Sequence, residues 1–487
     1  MRGIRLQLAR LTALVAVLLL FCAPASAREQ ADRRADRADR YIRAYIRAQM
    51  EALKIPGMQA AVVRGGRVVL VRSYGTASVE LGVPVTDKTV FSINSIAKAF
   101  TGVAAMKMVE AGKLDLSAPV STYLNGLPEA WRKVTTRQLL SHMSGLPDVT
   151  RAPTVETDAE AAWAWVQAQP VRFPPDERFD YCQTNYTLML RVLNKLAGAE
   201  PDAPLGTPQF EAAGMALTRY GDSTEIVPGR APSYRLVRSS PSEAGVLKPA
   251  IERFLPFRRA SSGLNSTAGD MARWIIALRN GRLLGKGSLE SMWTPVPFSS
   301  GERGQWGLGW IVLPRGDGRA VGMTGGGRAA FFYYPEQDVG VALLTNLAGA
   351  FPEDFVDRIA SIYAPGLKLS GVPALRIALE ENGYRDAPAA AAAIAARDPV
   401  LRWNEHELND WGYRLLSTGR PKQALEVLML VASLFPQSGN AHDSLAEAQA
   451  ANGDKAAALA SYRKSLELDP GNGNAKRQIE KLEAPAH

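Results

Sequence analysis

The sequence predicts a mixed α/β protein in which helices flank an antiparallel sheet and form a helical subdomain, followed by α-helical repeats. Three observations predict this architecture. β-rich segments occur near both ends of a long first domain, helical segments and Pro/Gly-rich loops fill its middle, and the last part of the chain repeats every 34 residues. Strands from both ends of a domain suggest one sheet with a helical insertion between them.

The domain boundaries follow from length and composition. The chain has 487 residues, which is too many for one average domain, and its apolar fraction of 46% can supply a sizeable core. We predict a first domain at residues 41–365, a linker with a helix at 366–400, and helical repeats at 401–485.

The first 27 residues have the features of a secretory signal peptide. Three arginines among the first ten residues precede an apolar run at 11–21, and the small residues 25–27 offer a cleavage site. The apolar run is shorter than the ~20 residues that span a bilayer, so we expect cleavage after Ala27 rather than a stable membrane span. The protein is therefore expected to be exported, to the periplasm or the medium.

Net charge and cysteine content limit the partners and the covalent cross-links that the protein can have. Cleavage removes three arginines and no acid, so the net charge falls from +9 to +6, which does not suggest a nucleic-acid partner. Interleaved Asp and Arg at 28–40 predict a charged, solvated helical lead-in. The mature chain would keep one cysteine, Cys182, which excludes an intrachain disulfide.

The predicted elements of the first domain begin with a hairpin. Two β-rich runs flank Gly65-Gly66, and apolar residues at helical spacing from 95 to 111 are followed by Gly112, which predicts a helix and its end. Four later β-rich runs are predicted at 307–313, 320–323, 330–334 and 340–346, and a helix is predicted at 354–363.

The chemistry centres on Ser95 and Lys98. Serine is a weak nucleophile unless a base lies close to it, and positions i and i+3 share one face of a helix. Lysine can act as that base only if burial lowers its pKa, which the apolar residues around it make plausible. The helix N-terminus would also favour developing negative charge.

Further motifs accompany this pair in a fixed order along the chain. They are Phe91–Lys98 (FSINSIAK), Gly112–Leu116 (GKLDL), Leu139–Leu146 (LLSHMSGL), Phe179–Tyr181 (FDY), Ser262–Met271 (SGLNSTAGDM), Trp306–Trp310 (WGLGW) and Thr324–Gly326 (TGG). As an ordered set, over residues 40 to 365, they resemble the serine β-lactamase and penicillin-binding-protein superfamily. The similarity is to its class C-like branch, which includes D-alanyl-D-alanine carboxypeptidases, D-aminopeptidases and esterases.

The resemblance implies a role for each matching residue. Ser95 would be the acylated serine, Lys98 its activating lysine, and Tyr181 the tyrosine that passes protons to the leaving group. A phenol needs a nearby cation to do this at ordinary pH, and Lys98 is the candidate. The N–H groups of Ser95 and Gly326 would form the oxyanion hole, and the strand that carries Gly325 would edge the site.

Two positions depart from the family pattern. Gln183 replaces the usual Asn, which would preserve hydrogen bonding to an acyl amide with a longer reach. Met323 replaces a basic residue or histidine ahead of Thr324-Gly325, which removes a polar group from the substrate side. Together with Gln183, the residues Met323, Thr324 and Gly325 are expected to bind substrate. We therefore expect weak selection for carboxylated substrates, with partial compensation by Thr324 and Arg328.

Two conspicuous residues are expected to be structural. His142 is one of four histidines in the chain, but its segment is structural in the family pattern, so we expect packing or hydrogen bonding. Cys182 is expected to fill space as a small apolar side chain rather than react.

The C-terminal repetition resembles the tetratricopeptide repeat. The matching pairs 34 residues apart are Gly419 and Gly453, Ala424 and Ala458, Leu425 and Leu459, and Pro436 and Pro470. Two units are too few for independent stability, so helices at 380–402 or the first domain should complete the packing. The repeats would either cap the enzyme or bind a protein or peptide partner.

The sequence thus predicts a serine hydrolase that forms an acyl-enzyme on an ester, amide or peptide bond. Esterase, D-peptidase and weak β-lactamase activities all fit, and no metal or organic cofactor is implied. The alternative is a catalytically weak or inactive penicillin-binding-like protein that works through its repeats. The presence of Ser95, Lys98 and Tyr181 favours the enzyme, whereas Gln183 and Met323 leave the alternative open.

Overall fold

A computed structural model describes residues 25–198, 205–240, 243 and 245–484. Residues 1–24, which hold most of the proposed signal peptide, lie outside the described residues. The chain divides into two compact units between Ala52 and Leu53. Helix α1 (Ala25–Leu53) forms the described part of the first unit and includes the charged stretch 28–40. Within the part of the chain that is described, none of the helices combines the length and hydrophobicity that crossing a bilayer requires.

The second unit contains an antiparallel sheet of seven strands, in the order β3-β2-β1-β12-β11-β10-β9. The strands are β1 (Gly57–Arg64), β2 (Arg67–Ser78), β3 (Val83–Pro84), β9 (Ile311–Arg315), β10 (Gly318–Gly325), β11 (Ala329–Tyr334) and β12 (Val339–Thr345). β1 pairs with β12 from Met58 opposite Thr345 to Arg64 opposite Val339. This pairing joins the two ends of the domain, so the predicted α/β fold with one antiparallel sheet is confirmed.

Two small sheets lie beside the large one. The first has the order β13-β6-β7 and the second the order β4-β8-β5. Their strands are β4 (Phe91–Ser92), β5 (Arg219–Tyr220), β6 (Tyr234–Val237), β7 (Val246–Pro249), β8 (Leu264–Ser266) and β13 (Leu347–Ala348). The second sheet matters for the site, because Ser95 follows β4 directly.

Helices cover both faces of the large sheet. The helices of this domain are α2 (Ala97–Glu110), α3 (Thr136–Leu140), α4 (Ala159–Gln167), α5 (Gln183–Ala197), α6 (Thr207–Ala213), α7 (Ala268–Arg279), α8 (Lys286–Met292) and α9 (Glu353–Tyr363). On one face Gly340 meets Ile275 of α7, and on the other the Tyr334 hydroxyl donates to Asp357 of α9. β11 and β12 are therefore buried along their whole length.

Two predicted elements differ from the observed ones. The helix expected from residue 95 begins at Ala97, because residues 94–96 form a 3₁₀ turn after Asn94, whose φ is +43°. The strand expected at 307–313 begins at Ile311. Gly309 has φ +85°, and a Cβ there would lie 2.6 Å from the carbonyl oxygen of Lys98, so this loop packs directly on α2 instead of joining the sheet.

The C-terminal region is helical from residue 371 onward. Its helices are α10 (Gly371–Asn382), α11 (Ala387–Arg397), α12 (Glu405–Ser417), α13 (Pro421–Leu434), α14 (Gly439–Ala451), α15 (Lys455–Leu468) and α16 (Gly473–Glu483). The expected linker at 366–400 therefore holds two helices, and they share an apolar core with α12 and α13 through Leu375, Leu379 and Trp411. The region fits the predicted helical repeats, while their assignment as tetratricopeptide repeats stays a prediction.

The C-terminal helices meet the first domain through charged groups. Arg414 of α12 and Arg376 of α10 both contact the Asp354 carboxylate of α9, at 2.9 and 3.2 Å. The same Arg414 approaches Glu353 at 3.4 Å. Burial raises the pKa of Glu353 to about 7, although the arginine opposes this. The ion pairs fix α12 beside the edge of the sheet that carries β9 and β10.

Candidate active site

Ser95 lies in the turn between β4 and α2, with its side chain partly exposed. The turn is held by the side chain of Asn94, which accepts a hydrogen bond from the Ser92 hydroxyl at 2.7 Å and donates to Glu252 at 3.2 Å. Asparagine tolerates the left-handed backbone better than most residues. The local sequence thus presents the Ser95 hydroxyl at a helix N-terminus and keeps it accessible.

Lys98 lies one helical turn after Ser95 and is completely buried. Its Nζ atom is 3.4 Å from the Ser95 hydroxyl oxygen and donates to the carbonyl oxygen of Ser261 at 3.1 Å. Burial holds the pKa of Lys98 well below its usual value, and the nearby Arg258 cation lowers that pKa further. A neutral amine beside a serine hydroxyl can accept its proton, which is the arrangement that a nucleophilic serine requires.

Tyr181 completes a cluster of three with Ser95 and Lys98. The Lys98 Nζ atom is 4.6 Å from the centre of the Tyr181 ring. Burial raises the pKa of Tyr181 to about 12, outweighing the hydrogen bonds with Ser95 and Gln183 that lower it. This differs from the expectation that a nearby cation would make the phenol more acidic, because burial of Tyr181 dominates. The phenol therefore keeps its proton at rest.

His142 and Cys182 support the segment that carries Tyr181. The backbone N–H of Cys182 donates to Nδ1 of His142 at 3.0 Å, and the imidazole lies 4.5 Å from the Tyr181 ring. Burial keeps the pKa of His142 well below 6.5, so the ring stays neutral. The Cys182 thiol is buried against the carbonyls of Leu146 and Pro147, and burial raises its pKa to about 12. Both contacts fit the structural roles expected for these residues.

The end of β10 passes beside the Ser95 turn. β9 pairs with β10 from Gly318 to Gly322, so the described pairing leaves the last residues of β10 with one open edge. A Cβ on Gly325 would overlap the carbonyl oxygen of Ile93 and lie 3.3 Å from the Ser95 nitrogen. Gly326 has φ +57°, a conformation that favours glycine. The structure thus brings Gly325 and Gly326 next to Ser95.

The predicted substrate-binding residues are not all at the surface of this site. Thr324 is partly exposed, and Gln183, the first residue of α5, is partly buried with an Oε1 atom that has no hydrogen-bond partner among the described residues. Met323 is 1% exposed and packs in the domain core, which contradicts its predicted contact with substrate. Successive strand residues face opposite sides, so Thr324 and Met323 cannot both point outward.

Arg328 also lies elsewhere than expected. Its side chain is 2% exposed, and its guanidinium donates to Glu252 at 2.8 and 3.0 Å and to Ser233 at 2.7 Å. Because a buried arginine is stable only when paired, this ion pair commits the guanidinium to the protein interior. The expectation that Arg328 compensates for Met323 is therefore wrong.

Sequence reasoning gave no role to three groups around the cluster. The Ser261 carbonyl holds Lys98, Arg258 depresses its pKa, and Trp306 lies 5.7 Å from the Tyr181 ring and donates its indole N–H to Leu140. Ser261 immediately precedes the motif Ser262–Met271, and Trp306 is the first residue of the motif Trp306–Trp310, which was the available signal. Among the described residues, no three His, Cys, Asp or Glu side chains are arranged to hold a metal ion.

Comparisons with known proteins agree with this geometry. The sequence profile of the beta-lactamase family matches residues 42–364. Penicillin-binding protein 4* of Bacillus subtilis (strain 168) is 28% identical over 278 residues, which cover 54% of this chain and 61% of that protein. The chain thus spans about three fifths of the length of that relative.

Solved structures give the same result. The octameric penicillin-binding protein homologue from Pyrococcus abyssi is 28% identical, with a TM-score of 0.56 over 67% of this chain and 76% of that one. The D-amino acid amidase from Ochrobactrum anthropi SV3 is 24% identical, with a TM-score of 0.52 over 60% of this chain and 87% of that one, and shares the fold. The family match covers most of the chain and includes every residue of the Ser95 cluster, so the protein belongs to the beta-lactamase family.

Proposed function

We propose that this protein is a serine hydrolase in which Ser95 forms an acyl-enzyme. One observation carries the proposal: the completely buried amine of Lys98 lies 3.4 Å from the Ser95 hydroxyl, with its pKa held well below the usual value. Burial disfavours the charged form of the amine, and a lysine with a strongly perturbed pKa beside a hydroxyl is typical of a catalytic base. Membership of a family of serine hydrolases supports the same conclusion.

The proposed reaction begins with transfer of the Ser95 proton to Lys98 as the oxygen attacks a carbonyl. The N–H groups of Ser95 and Gly326 stabilise the resulting oxyanion. Tyr181, a protonated phenol at rest, gives its proton to the leaving group and regains one from Lys98. Water then attacks the acyl-enzyme with Lys98 and Tyr181 handling its proton, which restores free Ser95.

We propose esters and amides without a carboxylate next to the scissile bond as substrates. Met323 is buried and the Arg328 guanidinium is paired with Glu252, so neither supplies a group for a carboxylate. The Oε1 atom of Gln183 is buried without a partner among the described residues, and a change of side-chain rotamer would let it accept an N–H from an acyl amide. Proteins that share this fold include the D-amino acid amidase and EstCE1, described as a hydrolase with promiscuous acyltransferase activity, although EstCE1 is only 20% identical.

Labelling with a fluorophosphonate and with a fluorescent penicillin, followed by intact mass and peptide mapping, tests this proposal. We expect a single adduct on Ser95, none in Ser95→Ala, and wild-type labelling in Ser300→Ala, which removes an exposed serine outside the site. Absence of any adduct on folded protein would instead support the binding role. A screen of p-nitrophenyl esters, D-amino-acid amides and nitrocefin then ranks the substrates, with nitrocefin expected to be poor.

We also propose that the protein is exported with cleavage after Ala27. Expression of the full chain in a Gram-negative host, followed by fractionation and N-terminal sequencing, tests this. The expected result is a periplasmic protein that begins at Arg28, and a cytoplasmic protein with an intact N-terminus would contradict it.

A further inference from the structure

A cleft of about 590 Å³ lies between the catalytic domain and the C-terminal helices. Its floor is the outer face of β9, β10 and β11, and its far wall is α12 with part of α10. The proposed chemistry of the Ser95 cluster does not account for this cleft, because Thr324 is the only proposed site residue among the described residues that line it.

The cleft begins beside the proposed active site. Thr324 immediately precedes Gly325, which lies against the Ser95 backbone, and its side chain lines the cleft. Trp306 and Phe179 also line it, with ring centres 5.4 Å apart, and Trp306 is 5.7 Å from the ring of Tyr181. A substrate bound at Ser95 that extends past Thr324 and Trp306 would therefore enter this space.

The floor of the cleft is apolar. Ile311 and Phe332 both pair with Gly322, and residues that pair across strands project from the same face of a sheet. Trp411 of α12 also lines the cleft. These side chains suit an aliphatic or aromatic portion of a ligand.

The charges are arranged differently at the base and at the rim. At the base Arg315 pairs with Asp357 at 2.8 Å, whereas Arg376 and Arg414 share the Asp354 carboxylate. At the rim α12 presents Glu407 and Asp410, the latter with its side chain 55% exposed and 3.9 Å from His406. Facing them is Arg303, which donates to the carbonyl of Pro295. Glu407 and Asp410 also lie within electrostatic reach of Arg315 and Arg414, respectively. Over the whole described lining, five carboxylates face four guanidiniums, which is an excess of one carboxylate.

We propose that this cleft is a distal substrate subsite, and that Glu407 and Asp410 select a substrate whose far end is cationic beyond an apolar spacer. The inference rests on the proposed hydrolase function and adds the substrate class. The C-terminal helices then serve the enzyme directly, because α12 supplies the charged wall of the subsite.

Steady-state kinetics with matched esters test the subsite. One series holds p-nitrophenyl esters of ω-amino, ω-methyl and ω-carboxy acids of equal chain length, and a second holds acetate esters of ω-amino alcohols and plain alcohols. We expect the ω-amino members to have the lowest KM. Glu407→Gln/Asp410→Asn should raise that KM roughly fivefold, as for partly exposed charge pairs, with kcat unchanged. The KM of p-nitrophenyl acetate should not change.

Three controls make the outcome decisive. Glu426→Gln, which neutralises an acid of α13 outside the cleft, should leave every KM unchanged. Raising the salt concentration should reduce the preference in the wild type but not in the double variant. Two results would overturn the subsite proposal but leave the hydrolase proposal intact. One is that the enzyme hydrolyses p-nitrophenyl acetate but prefers the ω-amino ester in neither series. The other is that the double variant changes the KM of ω-amino and ω-methyl esters equally. Failure to hydrolyse any ester would count against the hydrolase itself.

Discussion

Lys98 donates a hydrogen bond from Nζ to the carbonyl oxygen of Ser261 at 3.1 Å, deep in the domain interior. A neutral amine has one lone pair and two N–H bonds at tetrahedral angles. When one N–H donates a hydrogen bond, the lone pair can point only in the directions that the remaining positions allow. The Ser261 carbonyl therefore orients the amine so that its lone pair can face the Ser95 hydroxyl, 3.4 Å away. That distance is long for a hydrogen bond and is expected to shorten when substrate binds.

Lys98→Met should abolish activity and stabilise the protein. Loss of the general base should lower kcat/KM roughly 10²- to 10⁴-fold. The wild type must bury an amine whose pKa is lowered, which costs stability at every pH below the usual value of 10.5. Methionine avoids that cost, so the free energy of unfolding should rise by roughly 1 kcal/mol at neutral pH.

The pH dependence of this gain gives a sharper check. The unfolded wild type binds more protons than the folded state, so wild-type stability should increase with pH up to about 10.5 and the advantage of Lys98→Met should shrink. Urea denaturation of both proteins across pH measures this. A stability difference that does not vary with pH would show that the buried amine is charged.

Arg258→Leu should shift the acidic limb of the pH–rate profile to higher pH. The Arg258 cation lowers the pKa of Lys98, so its removal raises that pKa and leaves the base protonated over more of the acidic range. Arg258→Lys keeps the positive charge and should restore the wild-type limb. Measurement of kcat/KM against pH distinguishes this electrostatic role from a packing role, which would lower activity equally at all pH values.

Gly325→Ala should damage the oxyanion hole. A methyl group there would overlap the Ile93 carbonyl and press on the Ser95 nitrogen, so β10 must move away from the turn. We expect kcat to fall roughly 10²-fold and the unfolding free energy to fall by about 1–3 kcal/mol. Gly366→Ala is the matched control, because a Cβ there meets nothing within 4 Å, and it should change neither quantity measurably.

Arg328→Met should destabilise the protein without changing which substrates it prefers. The substitution leaves the Glu252 carboxylate without its buried partner. Because the Glu252 side chain is 24% exposed and still accepts from Asn94, we expect a cost of roughly 1–3 kcal/mol. Arg132→Met, which breaks an exposed pair with Glu129, should cost under about 1 kcal/mol. Thermal melts compare the two. A selective loss of activity on carboxylated substrates in Arg328→Met would show that the guanidinium serves the site after all.

The fold class and the proximity of Ser95 to Lys98 could be predicted from the sequence. Strand signals at both ends of the first domain implied that its termini pair in one sheet, and the pairing of β1 with β12 follows that signal. The spacing of Ser95 and Lys98 placed their side chains together, because three residues on a helical path return to the same face. Such local relationships depend on backbone geometry that the sequence encodes directly.

The tertiary structure decided which way individual side chains point and which residues from distant parts of the chain pair with each other. Met323 faces the core and Arg328 is neutralised by Glu252, 76 residues away, so neither fate could be read from its neighbours in sequence. The pKa of Lys98 depends on burial and on Arg258, contributed by another part of the chain. The cleft beside α12 lies where the C-terminal helices meet the first domain, next to the ion pair of Arg414 with Asp354. Burial and long-range electrostatic interactions arise only when distant segments pack together. The sequence therefore determined which reactive side chains this protein has, and the tertiary structure decided how each of them is buried, oriented and paired.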